Sequence, residues 1–212
     1  MHEPTRIVAI RHGETDWNVG TRIQGQLDVA LNDTGRWQAL QLARALAEER
    51  FAAIYSSDLA RAWETALALS SATGIPVTAE VDLRERCFGV FQGLTFKDVE
   101  QRWPQEALRW RMRDPEYGPE GGERLGDFYE RCTAVAARLA EKHEGQLIAI
   151  VAHGGVMDCL YRAAARIDLT GPRTWQLGNA SINRLLHTQA GFTLVGWADN
   201  FHLQTDAVDE AL

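Results

Sequence analysis

Two short runs of consecutive apolar residues, one near each end of the chain, predict buried β-strands. The first predicted strand covers residues 6–10 (RIVAI) and the second covers residues 146–152 (QLIAIVA), and in each only the first residue is polar. Apolar runs of this length, without alternating polar positions, are typical of strands that are covered on both faces of a parallel sheet. Each run is followed by a histidine and a glycine, His12-Gly13 in the first case and His153-Gly154 in the second.

Strand and helix patterns alternate between and around these runs, which is typical of βαβ units. They predict helices over residues 32–50, 57–73, 123–144 and 154–166, strands at 52–55, 181–186 and 192–197, and an extended segment at 77–83. Asn32 and Ser57 are predicted to cap the first two helices, and Gly74 to end the second. The expected buried faces are Trp37, Leu40, Ala43 and Leu46 on the first helix, and Leu125, Phe128, Cys132, Val135 and Leu139 on the third.

Residues 91–122 interrupt this alternation. The segment is rich in glycine and proline, so it is expected to form short helices in a lid-like excursion. Residues 1–212 are predicted to form a single domain of the α/β class. The expected architecture is a three-layer α/β/α sandwich around a mainly parallel central sheet.

The composition, with 45% hydrophobic and 24% charged residues, is ordinary for a globular protein. A net charge of −7 argues against a nucleic-acid partner, and the absence of a long apolar run argues against a membrane. Three cysteines without paired spacing predict reduced thiols and a cytoplasmic location. Of these, Cys132 is expected in the core and Cys87 as a small buried filler. A homo-oligomer is compatible with the sequence, which does not specify the oligomeric state.

The predicted strand ends bring basic side chains to one edge of the sheet. Arg11 and His12 follow the first strand and His153 follows the later one, and open α/β sheets bind ligands at the carboxyl ends of their strands. Arg61 lies in the first turn or so of a helix, where side chains lean back toward the helix N-terminus. Two imidazoles alone would also suit a metal ion. Two guanidiniums repel a divalent cation and favour phosphate, so no metal and no cofactor is expected.

A phosphate held beside a histidine favours covalent catalysis. Free imidazole has a pKa near ~6.5, so much of it is neutral and nucleophilic at physiological pH, and its attack would form a phosphohistidine. Backbone N–H groups of Gly13 and Gly154-Gly155 are expected to add anion donors. Glu85 is the candidate general acid for the leaving alcohol. Because it stands between Arg84 and Arg86, a surface ion pair is an equally good interpretation of this residue.

Short motifs follow one another along nearly the whole chain. They are residues 11–15 (RHGET), 17–18 (WN), 24–28 (QGQLD), 31–35 (LNDTG), 56–62 (SSDLARA), Glu85 with Gly89 and Gly93, 121–123 (GGE) and 152–155 (AHGG). Taken together, this ordered set resembles the histidine phosphatase superfamily, in its phosphoglycerate-mutase-like branch. One departure is Asp58, where relatives commonly carry proline, and an aspartate there also suits the N-terminus of a helix.

The resemblance implies that His12 is the phosphorylated nucleophile and that Glu85 is the proton donor. It implies that Arg11, Arg61 and His153 hold the phosphoryl group. The implied substrate-binding set is Arg11, Asn18, Gln24, Gly25, Arg61, His153 and Gly154.

Members of this family are either mutases that act on phosphoglycerate or phosphatases that act on various monoesters. The mutases usually carry a longer insertion between the glutamate and the second histidine, so the compact interval here favours a phosphatase of small phosphorylated metabolites. A phosphoglycerate mutase working through the same intermediate is the alternative, and a non-catalytic domain that binds a phosphoanion or docks a partner is a third hypothesis. The excursion carries an apolar set that would suit a bulky leaving group, but packing in a core is favoured over substrate contact; the set is Phe96, Trp103, Trp110, Met112 and Tyr117. Its arginines are expected to be mostly solvated, with one reaching the pocket to hold a substrate carboxylate; they are Arg102, Arg109, Arg111 and Arg113.

Overall fold

A computed structural model describes residues 3–204 of the chain. Its centre is one six-stranded sheet in the order β3-β2-β4-β1-β5-β6. The strands are β1 Thr5–Arg11, β2 Ala53–Ser56, β3 Val77–Ala79, β4 Leu147–Ala152, β5 Ile182–Thr188 and β6 Gly191–Asp199. Strand β1 pairs in parallel with β4, β4 with β2, and β2 with β3. Strand β5 runs antiparallel to β1, and β6 runs antiparallel to β5. The predicted mainly parallel sheet with a terminal hairpin is confirmed.

Seven α-helices surround or extend this sheet within the described residues. They are α1 Asp16–Val19, α2 Asp33–Ala45, α3 Ala60–Thr73, α4 Phe96–Arg102, α5 Pro104–Arg111, α6 Leu125–Glu141 and α7 Gly154–Ala165. Three short 3₁₀ helices lie at Val81–Leu83, Gly89–Phe91 and Phe201–Leu203. Within residues 3–204, no helix combines the length and the apolar content needed to cross a membrane.

The alternation of side chains along β1 explains the three layers. Ile7 and Ala9 pack into a core with residues of α6 and α7, whereas Val8 and Ile10 pack into a second core with residues of α2 and α3. Successive strand residues point to opposite faces, so a strand that is apolar at every position needs a helical layer on each side. The predicted α/β/α sandwich therefore follows from the two covered faces of the sheet.

The buried face of α2 differs from the predicted one. Asn32 caps the helix as expected, but Trp37 and Leu40 are 36% and 54% exposed, while Leu42 is fully buried. Residues nine apart lie two and a half turns apart, on opposite sides of a helix, so Trp37 and Leu46 cannot share one face. The prediction followed a strict three-residue spacing, which drifts around the helix and leaves the core.

Truncating the buried position of α2 should destabilise the protein far more than truncating its exposed neighbour. Leu42→Ala should lower the free energy of unfolding by about 2–5 kcal/mol, because it removes buried methyl groups and leaves a cavity. Leu40→Ala, on the same helix, should change it by no more than about 0.5 kcal/mol. Urea unfolding followed by circular dichroism measures both values. Equal losses at the two positions would contradict this assignment of faces.

The N-terminus of α3 is also capped differently from the prediction. The helix begins at Ala60 after the N-cap residue Leu59, which makes no side-chain cap. The N–H of Ala60 donates instead to Asp28 Oδ1 at 2.7 Å. Ser57 lies too early to cap the first turn, and the one backbone N–H near the helix start that its Oγ accepts from is that of Leu59, at 3.3 Å. Gly74, with a φ of 73°, ends the helix as predicted.

Three further boundaries differ from the prediction. Helix α2 ends at Ala45 rather than near residue 50, and α6 ends at Glu141 rather than near Gly145. The segment 77–83 is extended only as far as Ala79 and then forms a 3₁₀ helix. Its strand pairs with β2 alone, and the following turn places Leu83 in the core with no exposed surface.

The excursion contains α4 and α5 around a small core of its own. Phe91, Val99, Ala107 and Tyr117 are buried there, and aromatic side chains pack against them. Trp110 stacks on Phe91 with ring centroids 5.8 Å apart. The predicted packing of the aromatic residues is confirmed. The same prediction is wrong for Met112, which is 65% exposed just after α5 ends.

The cysteines are free thiols in the described structure. Cys132 is fully buried on α6, as its place in the apolar stripe predicts. Cys87 is only half-buried, so the prediction of a buried filler is wrong. It lies in a loop, and its Sγ donates to the carbonyl oxygen of Gly121 at 3.5 Å.

Candidate active site

Two histidines meet where β1 and β4 end. The parallel register pairs Arg11 with Ala152, so the next residues, His12 and His153, lie side by side. Their ring centroids are 5.2 Å apart. The expectation that both imidazoles reach one edge of the sheet is therefore met.

His12 is oriented with one nitrogen available. It is 3% exposed, and its Nδ1 lies 2.7 Å from the carbonyl oxygen of Gly13. A carbonyl only accepts, so Nδ1 donates its proton there and the lone pair of the neutral ring lies on Nε2. Burial, reinforced by the charges of Arg11 and Arg61, holds the pKa of His12 well below its usual 6.5. The ring is neutral at physiological pH, which is the nucleophilic form.

Arg61 is 1% exposed and Arg11 is half-buried, and neither guanidinium forms an ion pair with any of residues 3–204. Arg61 donates to the carbonyls of Gly25 and Leu27 at 2.7 and 2.9 Å, and Arg11 donates to the carbonyl of Leu177. The Nε atom of each is buried and has no hydrogen-bond partner in the described structure. Burial lowers the pKa of Arg61 to about 10 and also lowers that of Arg11, so both stay cationic at neutral pH. Buried positive charge with open donors forms a site for an anion.

His153 completes this cluster from α7. It is fully buried, and its Nε2 lies 2.8 Å from Ser57 Oγ. Its Nδ1 is buried and has no partner among the described residues. Burial is the main reason that its pKa lies well below 6.5, and Arg61 adds to the effect. Arg11 lies against the next residue, because a Cβ atom on Gly154 would be 3.4 Å from Arg11 Nε.

Glu85 is held at the same cluster by backbone donors. Its Oε1 accepts from the N–H of Arg86 at 2.8 Å, and its Oε2 accepts from the N–H of Gly155 at 2.9 Å. A side chain at Gly155 would collide with this carboxylate, so the second glycine of the His153 motif makes room for Glu85. Each carboxylate oxygen keeps a second lone pair for a proton or a substrate.

The surface ion-pair interpretation of Glu85 is wrong. Arg84 instead forms two hydrogen bonds with Asp58, at 2.7 and 2.5 Å. Arg86 is 4% exposed and donates to two backbone carbonyls at 3.0 and 2.7 Å. Both flanking arginines point away from Glu85, which leaves its carboxylate for the cluster of basic side chains.

The other predicted binding residues have different positions. Gln24 is 8% exposed, and its buried Oε1 has no partner among the described residues. Asn18 closes a capping box with Thr15 at the start of α1. Gly25 has a φ of 54°, which favours glycine, and its carbonyl accepts from Arg61. Gln24 thus keeps an open polar atom, while Gly25 positions Arg61.

Two of the three predicted backbone anion donors are already used. The N–H of Gly13 donates to Thr65 Oγ1 at 3.0 Å, and that of Gly155 donates to Glu85. The prediction is wrong for both, because side-chain acceptors from α3 and from the loop after β3 reach them first. The N–H of Gly154, at the first position of α7, makes no hydrogen bond to another described residue.

Three residues of the site were missed by the sequence analysis. They are Ser57, which bonds His153, Thr65, which accepts from Gly13, and Asn179, which donates to the carbonyls of His12 and Gly13 at 3.0 and 3.2 Å. Ser57 directly follows β2, so the rule that found Arg11 and His12 could have found it as well. Asn179 precedes an antiparallel strand, and its position beside the end of β1 depends on that orientation.

A cavity of about 200 Å³ opens beside Glu85. Its apolar wall consists of Phe88, Trp110, Leu125 and Phe128, and its polar lining includes Arg86, Arg113, Asp158 and Arg173. A second cleft shares Arg173 and Gly155 with it and runs along Arg11. A phosphoester held at the basic cluster therefore has room beside Glu85 for the alcohol that leaves.

A model of the histidine phosphatase superfamily (branch 1) matches residues 7–200. The chain belongs to this superfamily. The match covers every residue of the site and all of the described sheet except Thr5 and Arg6. Both the fold class and the family expected from the sequence motifs are therefore confirmed.

Individual relatives of this histidine phosphatase include enzymes named for different substrates. A metal-independent phosphoserine phosphatase of Arabidopsis thaliana is 38% identical over 96% of this chain and 85% of its own. Phosphoglycerate mutase-like protein 4 of the same plant is 39% identical over 93% of this chain and 86% of its own. The native structure of mycobacterial glucosyl-3-phosphoglycerate phosphatase matches with a TM-score of 0.84 at 34% identity, covering 93% of this chain and 100% of that one. Proteins named as probable phosphoglycerate mutases also match, but phosphomonoester hydrolysis is the better supported activity.

The departure at Asp58 has a structural role in this phosphatase. Its carboxylate holds Arg84, and that hydrogen-bonded pair keeps the pKa of Asp58 below its usual value. The pair ties the start of α3, which carries Arg61, to the segment that carries Glu85. The aspartate thus joins two parts of the site.

No group of three or more histidine, cysteine or acidic side chains within residues 3–204 has an arrangement that could hold a metal ion. The polar atoms without partners in the basic cluster include two arginine nitrogens, which repel cations. The chemistry of this donor set suits an oxyanion.

Proposed function

We propose that this histidine phosphatase hydrolyses small phosphomonoesters through a phospho-His12 intermediate, without a metal ion or a cofactor. The observation that carries the proposal is the neutral His12, whose Nε2 is available beside two guanidiniums that lack an ion-pair partner among the described residues. An incoming phosphate supplies the anion that Arg11 and Arg61 lack. It also brings a phosphorus atom to the nucleophile.

In the first step, the Nε2 lone pair of His12 attacks phosphorus, and the bond from phosphorus to the ester oxygen breaks as the N–P bond forms. Arg11, Arg61 and His153 stabilise the charge on the other three oxygens. Gln24 and the N–H of Gly154 supply further polar contacts, and Gly25 positions Arg61 through its carbonyl. Glu85, in its acid form, gives its proton to the departing alkoxide, so a neutral alcohol leaves.

In the second step, water attacks the phosphorus of phospho-His12. The N–P bond breaks and its electron pair returns to Nε2. Glu85, now a carboxylate, takes a proton from the attacking water and regains the acid form. Inorganic phosphate leaves, and the enzyme has the same protonation state as at the start.

Hydrolysis is preferred to phosphoryl transfer because the cavity beside Glu85 is open to solvent at Arg173. A mutase must protect its phosphoenzyme from water until the group is returned to the substrate. Here the excursion contributes Trp110 to the wall of the cavity beside Glu85, and Arg173 at the same cavity is exposed. Helices α4 and α5 of the excursion are short, so they give the site limited cover from water.

The deciding experiment supplies the enzyme with 3-phosphoglycerate, catalytic 2,3-bisphosphoglycerate and, separately, a panel of monoesters that includes p-nitrophenyl phosphate. We expect phosphate release to exceed interconversion of the phosphoglycerates, and EDTA to leave the rate unchanged. Faster interconversion would identify a mutase. Phosphate binding without either reaction would identify a non-catalytic anion-binding domain, and loss of activity with EDTA would contradict the metal-independent mechanism.

We also propose a cytoplasmic location. Its support is that Cys87, Cys132 and Cys159 are free thiols in the described structure, as expected where disulfides do not form.

A further inference from the structure

We propose that Ser57 is a positioning residue that fixes His153 in the tautomer with its proton on Nδ1, so that this nitrogen donates to the phosphoryl group. The inference rests on the proposed function and adds a residue that acts on the substrate through His153. It is carried by the hydrogen bonds of the Ser57 hydroxyl, by the burial of both side chains and by the open Nδ1 atom.

The two side chains meet inside the protein, where neighbouring strands end. Ser57 directly follows β2 and His153 directly follows β4, and these strands pair in parallel. Neither residue has any exposed surface, and the hydroxyl oxygen of Ser57 lies 2.8 Å from His153 Nε2. Fully buried polar groups in folded proteins are almost always hydrogen-bonded, so the direction of this bond matters for every polar atom around it.

The proton of the Ser57 hydroxyl has a single acceptor among residues 3–204, His153 Nε2. The hydroxyl oxygen itself accepts from the N–H of Leu59 at 3.3 Å. If Nε2 carried the ring proton, it would donate to this same oxygen, and the hydroxyl proton would be buried without an acceptor. A buried donor without a partner is costly. The hydroxyl therefore donates, and Nε2 is the nitrogen with the lone pair.

The ring proton of His153 is then on Nδ1. Burial and the charge of Arg61 hold the pKa of His153 well below 6.5, so the ring is neutral and carries one proton at physiological pH. Nδ1 is buried and has no partner among the described residues, and the ring centroid lies 5.2 Å from that of His12. A donor beside the nucleophile can bind a phosphoryl oxygen, whereas a lone pair at Nδ1 would repel it.

The same hydroxyl connects His153 to the helix that carries Arg61. Leu59, whose N–H donates to Ser57 Oγ, is the N-cap residue of α3, and Arg61 lies two residues further on. One buried oxygen therefore bonds both the imidazole and the backbone at the start of this helix. We expect its removal to affect the binding of the phosphoryl group rather than the leaving of the alcohol.

The tautomer of His153 is the direct test. Proton–nitrogen NMR correlation spectra distinguish the protonated ring nitrogen from the one with the lone pair, and loss of signals in His153→Ala assigns them. We expect the proton on Nδ1 in the wild-type protein at neutral pH. Ser57→Ala should give a mixture of the two tautomers, whereas Ser57→Thr, which keeps the hydroxyl, should retain the wild-type form. A proton on Nε2 in the wild type, or an unchanged tautomer in Ser57→Ala, would overturn the inference.

Phosphate binding and turnover give the second readout. In Ser57→Ala we expect the affinity for inorganic phosphate and the kcat/KM for p-nitrophenyl phosphate each to fall by about tenfold or more, the worth of one hydrogen bond to a charged group. Ser57→Thr should restore most of both. A changed tautomer with unchanged phosphate affinity would also overturn the inference, because Nδ1 would then not act on the phosphoryl group.

Ser56→Ala is the matched control. Its hydroxyl is equally buried one residue earlier, and it donates to the carbonyl of Ser57 at 2.8 Å rather than to His153. It should change neither the tautomer nor the two kinetic and binding values. Equal losses in both alanine variants would show a general effect at the end of β2 and contradict the role of Ser57. Absence of turnover in the wild type would overturn the proposed function alone, since the tautomer and the phosphate affinity are measured without it.

Discussion

Replacing His12 by alanine should abolish turnover, with kcat falling by at least about 10⁴-fold, as expected when a covalent nucleophile is removed. The reason is the orientation of the ring: Nδ1 is engaged by the Gly13 carbonyl, and Nε2 is directed to the site with its lone pair free. No acid-labile phosphate should then become attached to the protein. Rapid quenching of the enzyme with a labelled monoester, followed by treatment with acid or base, measures this, because phosphohistidine is labile in acid.

The control for this variant is His143→Ala. His143 bonds Tyr55 and Gln146 beyond the end of α6, at the opposite edge of the sheet from the site. It should keep full activity and labelling. Circular dichroism checks that His12→Ala is folded. If labelling persists in folded His12→Ala, another residue is the nucleophile, and His153 would be the next one to test.

Replacing Glu85 by glutamine should slow hydrolysis of alkyl phosphates by about 10²–10⁴-fold, the usual contribution of a general acid. Hydrolysis of p-nitrophenyl phosphate should fall far less, because p-nitrophenolate leaves without needing a proton. The side-chain amide keeps the size of the carboxyl group and one of its acceptors but has no acidic proton. Measuring kcat for glycerol 3-phosphate and for p-nitrophenyl phosphate gives the ratio that decides the role.

The matched control is Glu116→Gln, at an exposed position whose partner is Arg124 at 3.4 Å. It should change neither rate. Equal losses on the two substrates in Glu85→Gln would indicate that Glu85 positions Gly155 and Arg86 through its hydrogen bonds, and would falsify its role as the acid.

The sequence was sufficient to find the side chains of the basic cluster. Arg11, His12 and His153 follow strands that are recognisable as apolar at every position, and such strands pair in parallel in a buried sheet. Parallel pairing then forces their carboxyl ends to the same edge. Arg61 was found from its position near a helix start, although the exact cap was predicted wrongly. Local pattern and one topological rule determined these positions.

Glu85 illustrates what local pattern could not decide. From the sequence, its flanking arginines made a surface ion pair as plausible as a catalytic role. The structure turns Arg84 toward Asp58 and Arg86 toward backbone carbonyls, both supplied by segments distant in the sequence. Long-range partners therefore removed the ion-pair interpretation, while the acid role of Glu85 stays a prediction.

By itself, then, the sequence determined the layered α/β architecture, the family and the basic cluster at the strand ends, since each depends on the periodicity of apolar residues and on short motifs. Only the tertiary structure decided which ring nitrogen of His12 carries the proton, and that Asn179 and Thr65 bond the backbone around it. It also decided that Arg113 and Arg173 line one cavity. The physical reason is that protonation and charge pairing depend on burial and on neighbours within a few ångströms, and folding brings those neighbours from segments far apart in the chain.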